Sequence, residues 1–250
     1  MGKHKMSETL FAYFDTNKEY KFGPKTIILD LDETLVHSYE DIDFLEKYEI
    51  YSNPEVYHKF HPIGSNPIAY SVSIEPSNDP KQIWGLYRPY MYEFLTFAKG
   101  YFDNIIIWSA GVHSYVEELV RLIFLESGMI PPKLVWSRDK CSTYKNFYHK
   151  PISDLIVDIS TRPFSQLKID PNSTLILDDK EHTFIQNPQN GILIECFSPG
   201  KNRPKGIPYL EDLLDRSDNA LLKLMNWLKK PEVRTSTDVR SLDKTRIFKI

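Results

Sequence analysis

Apolar residues in this chain fall into two patterns. Some form short unbroken runs; others recur every third or fourth position. The unbroken runs are residues 26–31 (TIILDL), 103–111 (DNIIIWSAG), 133–137 (KLVWS), 172–179 (NSTLILDD) and 191–197 (GILIECF). Their length and aliphatic content predict strands buried on both faces. Residues 89–100 (PYMYEFLTFAKG) keep helical spacing, with Tyr90, Met91, Phe94, Leu95 and Ala98 on one face. Pro89 stands at a plausible first helical position and Gly100 at the stop. Residues 112–124 repeat the pattern through Val112, Tyr115, Val116, Leu119, Val120 and Ile123. Residues 217–228 do so through Leu221, Leu224, Met225 and Leu228. AYSVSIE and IWGLYR, separated by PSNDP, predict a β-hairpin.

Strands alternating with helices predict an α/β, Rossmann-like fold with a mostly parallel central sheet. The hairpin and the residues before it interrupt that alternation after the first strand. Residues 1–24 read as a lead-in and 25–230 as one domain carrying an insertion at 39–88. Residues 231–250 read as a basic tail, whose end TRIFKI reads as solvated or as a means of docking a partner. Within the insertion, residues 39–67 begin acidic and become rich in Tyr, Pro, His and Asn. They read as a long irregular loop, and such loops in compact domains are usually functional or disordered.

The formal net charge is −3, unevenly placed: residues 229–250 hold seven basic and three acidic residues. An acidic body argues against tracking a nucleic-acid backbone. Two cysteines make no disulfide framework and fit a reducing compartment. Cys196, inside an apolar run, is expected to be buried. Neither a signal peptide nor a membrane span is legible. An intracellular protein, nuclear or cytoplasmic, is expected, and oligomeric state is not legible.

Chemistry concentrates at the strand ends. In open α/β sheets ligands bind outside the carboxyl ends of the strands. Asp30 and Asp32 follow the first strand, Ser109 follows IIIW, and Asp178 and Asp179 follow LIL. If the first strand continues, Asp30 and Asp32 face the same way. Such a carboxylate cluster calls for a hard divalent cation, and Mg²⁺ takes oxygen ligands of this kind. One carboxylate can then attack phosphorus while another moves protons. Ser109, with the amides of Ala110 and Gly111, offers donors to a phosphate; it also has the chemistry of a helix cap. Lys150 offers a fixed charge and Arg138 a bidentate fork.

DLDETLVHS, LYRPYMYEFL, IIIWSAG, WSRDKCSTYKNFYHKPISDL and TLILDDKEHTF occur in that order over about 170 residues. Together they resemble the motifs of the haloacid dehalogenase superfamily in the Fcp/Scp form. Those enzymes remove phosphate from serines in the C-terminal repeats of RNA polymerase II and from related phosphoproteins. The resemblance implies a Mg²⁺-dependent protein serine/threonine phosphatase working through an aspartyl-phosphate on disordered phosphopeptides. It implies Asp30 as nucleophile and metal ligand, and Asp32 as acid/base and a metal contact through its carbonyl. Thr34 would support the phosphate-binding loop, Ser109, Arg138 and Lys150 would hold the phosphate, and Asp178 and Asp179 would complete the metal shell. Two residues depart from the usual motifs: Asp179 where small members often carry Asn, and Ser109 where Thr is common. The alternatives are a non-catalytic binding module on the same fold and a phosphatase of small metabolites. Retention of both Asp30 and Asp32 argues against the first, and the Fcp/Scp form of the first motif against the second.

Overall fold

The computed structural model describes residues 22–40, 46–74, 81–162, 166–203 and 207–249. At its centre lies β1 (Thr26–Leu29), every residue of it buried. Parallel partners flank it on both sides: β5 (Asn104–Trp108) and β9 (Thr174–Asp178). Two edge strands, β6 (Leu134–Trp136) and β10 (Gly191–Leu193), complete the order β10-β9-β1-β5-β6. Leu29 pairs with both Ile107 and Leu177. The three central strands therefore end level, and the residues that follow them meet at one edge.

Side chains alternate across this sheet, so its two faces bury different cores. Ile27 and Leu29 join one large cluster with Met91, Phe94, Val116, Leu119, Leu221 and Leu224. That face is covered by α2 (Met91–Tyr101), α3 (His113–Val120) and α6 (Ala220–Leu228). Ile28, Ile106, Trp108 and Ile176 meet Ile152, Leu155 and Ile159 of α4 (Ile152–Thr161) on the other face.

After β1 the chain leaves for a second sheet, antiparallel, in the order β2-β4-β3. It consists of β2 (Val36–Tyr39), β3 (Ala69–Ile74) and β4 (Lys81–Tyr87). The predicted hairpin is present; its turn lies outside the described residues. Among the described residues of 39–67, the expected irregular loop is broken by a helix. Residues 54–60 form α1 (Pro54–Phe60), whose N-cap Asn53 accepts a hydrogen bond from the Glu55 amide at 3.0 Å. Ile50 and Phe60 are fully buried with Trp84, Leu86, Phe197 and Leu213. A separate small core thus anchors the insertion, and it takes its partners from three distant segments.

Element starts also shift. Tyr90 takes a left-handed backbone, φ 64°, so α2 begins at Met91 rather than Pro89. A π-helical turn, Arg121–Glu126, ends the helix begun by α3. Asp218 accepts from the Ala220 amide at 3.0 Å, which starts α6 three residues late. The basic segment after Lys230 is not a solvated tail. It holds α5's later neighbour α7 (Pro231–Arg234), α5 being Leu210–Leu214, and it buries Val233, Val239 and Ile247 in the main core. Three apolar anchors separated by charged residues are enough to dock it, and the charges hid them in the sequence. Cys196 is half-buried, because it follows β10 where the run has left the sheet. Among the described residues, no helix is long and apolar enough to cross a membrane.

Candidate active site

The level strand ends bring Asp30, Ser109 and Asp178 to one edge. Asp30 continues the β1 ladder by donating its amide to the Leu177 carbonyl at 3.1 Å. Lys150 arrives from below, directly after the short strand β8 (Phe147–His149). Its ammonium donates to Asp30 Oδ1 at 2.7 Å and to Asp178 Oδ2 at 2.6 Å, with 1% of its side chain exposed. Burial opposes its charge, but Asp178 and Asp30 outweigh that and hold the ammonium well above the ordinary lysine range. Burial likewise pushes the Asp30 carboxyl upward, against the pull of Lys150.

Asp179 stands beside them, its side chain 2% exposed and paired with the Lys180 ammonium. Burial raises its carboxyl as well. Asp30, Asp178 and Asp179 each offer an oxygen within 4.8 Å of the others. An all-oxygen, carboxylate donor set of this kind fits a hard divalent cation.

Asp32 is outside that triad. β1 stops at Leu29, and Glu33 at φ 57° turns the chain toward the second sheet. Asp30 and Asp32 have different hydrogen-bond partners, although the Asp32 charge still bears on Asp30. Asp32 Oδ1 instead accepts from the Tyr115 hydroxyl at 2.5 Å and from Ser38 Oγ at 3.2 Å. Ser38 in turn lies 2.6 Å from the Tyr70 hydroxyl and in contact with that of Tyr115. Burial raises the Tyr70 and Tyr115 phenols, so both remain O–H donors. The Asp32 carboxyl is raised too, first by burial, with the Tyr115 hydrogen bond working against it.

The other expected residues divide. Ser109 is buried, and its Oγ accepts from the Gly111 amide at 3.0 Å, which leaves the hydroxyl proton free to donate. Thr34 is fully buried with no partner for its hydroxyl, while its carbonyl accepts from Arg88 at 3.1 Å. Arg138 is exposed at the rim rather than within the acidic group. Its Nε donates to the Ala110 carbonyl at 2.7 Å and its guanidinium lies over Tyr148, so it braces the 109–111 loop.

Sequence reasoning gave no role to Arg88, Ser38, Tyr70 or Tyr115. Arg88 is completely buried and holds four segments together. It forks onto Asp218 at 3.1 and 2.8 Å and donates to the carbonyls of Thr34 and Glu195. The Arg-Pro pair was its signal, but its acceptors are mostly backbone carbonyls, which carry no sequence mark.

A parallel sheet with an acidic triad at its carboxyl edge, a buried lysine between two of the aspartates and an insertion after β1 define a haloacid-dehalogenase-type fold. The family model of NLI interacting factor-like phosphatases matches residues 25–240, and the chain belongs to that family. It is 26% identical over 203 residues to a probable C-terminal domain small phosphatase of Dictyostelium discoideum, covering 80% of this chain and 54% of that protein. It is 27% identical over 175 residues to carboxy-terminal domain RNA polymerase II polypeptide A small phosphatase 2 of Homo sapiens, covering 70% and 51%. The chain thus spans about half the length of these curated relatives. Among solved structures it is similar to the RNA polymerase II CTD phosphatase Fcp1, with a TM-score of 0.54 at 18% identity over 90% of this chain and 60% of that one. At that identity the likeness shows the shared fold.

Proposed function

We propose that this chain is a Mg²⁺-dependent protein serine/threonine phosphatase that works through an aspartyl-phosphate on Asp30. The observation that carries this reading is the buried Lys150 bridging Asp30 and Asp178, with Asp179 alongside. Asp30, Asp178 and Asp179 would hold the cation, with the Asp32 carbonyl as a further contact. Bound there, Mg²⁺ would neutralise charge on the phosphoryl oxygens.

Lys150 holds Asp30 in place and its charge favours the carboxylate form, so that one Asp30 oxygen can attack phosphorus. As the bond to the seryl oxygen breaks, Asp32 gives that oxygen a proton. Asp32 then takes a proton from the water that attacks the phosphoryl group, releasing inorganic phosphate and restoring Asp30. The Ser109 hydroxyl donates to a phosphoryl oxygen, and Arg138 offers its guanidinium at the rim. Burial raises the Asp32 carboxyl, which favours the proton it is to transfer.

The substrate we propose is a phosphoserine on an extended peptide, such as the polymerase C-terminal repeats named for the relatives, met in the nucleus or cytoplasm. The insertion offers exposed aromatic surface at Tyr51 and Tyr57, the latter stacked on His61 at 4.3 Å. Phe60, by contrast, is buried and holds α1. A kinetic panel of Ser-Pro phosphopeptides, sugar phosphates and nucleotides tests the reading. Peptides should lead in kcat/KM by about tenfold or more, roughly 1.4 kcal/mol of transition-state binding. A metabolite that beats every peptide would overturn it in favour of small-molecule hydrolysis.

A further inference from the structure

Two hydroxyl groups, those of Tyr115 and Ser38, meet on one oxygen of Asp32, a third, that of Tyr70, backs Ser38, and the three come from three separate elements. Ser38 belongs to β2, Tyr70 to β3 and Tyr115 to α3. Ser38 and Tyr70 are both register partners of Gly85, so the three residues form one row across the second sheet. An alanine at Gly85 would put its Cβ 2.4 Å from the Tyr70 hydroxyl oxygen. The missing side chain is what lets the Tyr70 ring lie across β4 and reach Ser38. Gly111 does the same for the other tyrosine: a Cβ there would come 2.9 Å from Tyr115 Cδ1. Two glycines thus clear the paths by which two tyrosine hydroxyls approach the site.

The hydrogen bonds to the Asp32 carboxyl, from Tyr115 and from Ser38, both fall on Oδ1. Tyr70 and Tyr115 are 4% and 6% exposed, so neither hydroxyl is turned to bulk water. A phenylalanine would fill the same space without a buried polar group to satisfy, and leaving such a group unmatched costs about 1–3 kcal/mol. The hydroxyls have a use that a ring alone does not supply. With Oδ1 accepting two donors, the carboxyl proton belongs on Oδ2.

Resting on the phosphatase reading above, we propose that Tyr115 is a positioning residue for Asp32, with Ser38 and Tyr70 as the chain of hydroxyls that holds it. The set fixes which carboxyl oxygen carries the transferable proton and aims it at the leaving oxygen. In the first half-reaction the bond from an Asp30 oxygen to phosphorus forms and the bond from phosphorus to the seryl oxygen breaks. The proton on Asp32 Oδ2 passes to that seryl oxygen. The negative charge left on Asp32 is met by the two O–H donors already on Oδ1.

The consequence depends on the leaving group. A seryl alkoxide is a poor leaving group and needs the proton; a nitrophenolate leaves without it. Tyr115→Phe keeps the ring and deletes the hydroxyl. Its kcat on a phosphoserine peptide should fall by about tenfold or more, part of the hundredfold and upward supplied by a positioned acid. Its kcat on p-nitrophenyl phosphate should fall several times less. Ser38→Ala should show the same split, and it decides the matter if Tyr115→Phe does not fold. An equal loss on both substrates in the folded variants, or no loss on either, overturns the inference. A wild-type protein that hydrolyses neither substrate overturns the phosphatase reading and this inference with it, whereas a wild-type active on both separates the two.

Discussion

The ammonium of Lys150 lies 2.7 Å from the carboxylate of Asp30, and both side chains are buried. The lysine is shared with Asp178, so a single positive charge serves two buried negative ones. Removing it leaves both uncompensated. Lys150→Met should therefore lower stability by about 3–5 kcal/mol, the usual cost of breaking a buried pair from one side. Denaturant unfolding of the two proteins side by side checks this, and a shift within 1 kcal/mol (roughly the experimental spread for surface changes) would contradict it.

Asp30→Asn should abolish turnover and leave the fold intact. The amide cannot attack phosphorus, yet it occupies the same volume and still accepts a bond from Lys150. Peptide hydrolysis by a well-folded Asp30→Asn protein, above a no-enzyme control, would rule out Asp30 as the nucleophile.

Adding Mg²⁺ should stabilise the protein as well as activate it. A ligand at a hundred times its Kd stabilises the native state by about 2.7 kcal/mol. Asp179→Asn removes one of the three carboxylates and should weaken that response. Thermal melts with and without the cation, followed by chelation, read binding independently of activity. Identical melting at every Mg²⁺ concentration would count against the triad as a cation site.

Arg88→Met should be among the most damaging single substitutions outside the acidic triad. Arg88 has no exposed surface and donates to Asp218, Thr34 and Glu195. Losing it leaves a carboxylate and two carbonyls without their donor, a cost of about 3–5 kcal/mol. Arg88→Lys should rescue little, since an ammonium cannot reproduce the fork. Chemical denaturation of both variants checks the order.

The docked segment after Lys230 should respond to pH through Lys244. Burial lowers its ammonium from 10.5 to about 8, while it donates to the Val239 carbonyl at 2.6 Å. A group lowered on folding contributes stability that is complete above its unfolded value and is lost as pH falls through its folded value. Wild-type stability relative to Lys244→Gln should therefore rise from pH 8 to about 10.5 and be flat below pH 7. A difference that falls over that window would show the opposite sign and refute the assignment.

The sequence by itself determined the parallel sheet and the place of the acidic site. TIIL, IIIW and LIL are buried on both faces, and a strand of that kind has only the centre of an α/β sheet to occupy. The carboxylates written directly after them must then lie at the sheet's carboxyl edge. Local spacing also marked α2, α3 and α6, because helical periodicity is a property of neighbouring residues. What only the tertiary structure decided depends on partners far apart in the chain. β1 ends at Leu29, before Asp32 is reached, and the Asp32 carboxyl finds Tyr115, 83 positions on. Phe60 is buried, not displayed, because Trp84 and Phe197 come to meet it. The basic end docks through Val233, Val239 and Ile247, each isolated among charges and visible as a core residue only when packed. Arg88 binds carbonyls that every residue possesses. Spacing along the chain encodes what adjacent residues do together, whereas those contacts arise only once packing has chosen which distant groups share a place.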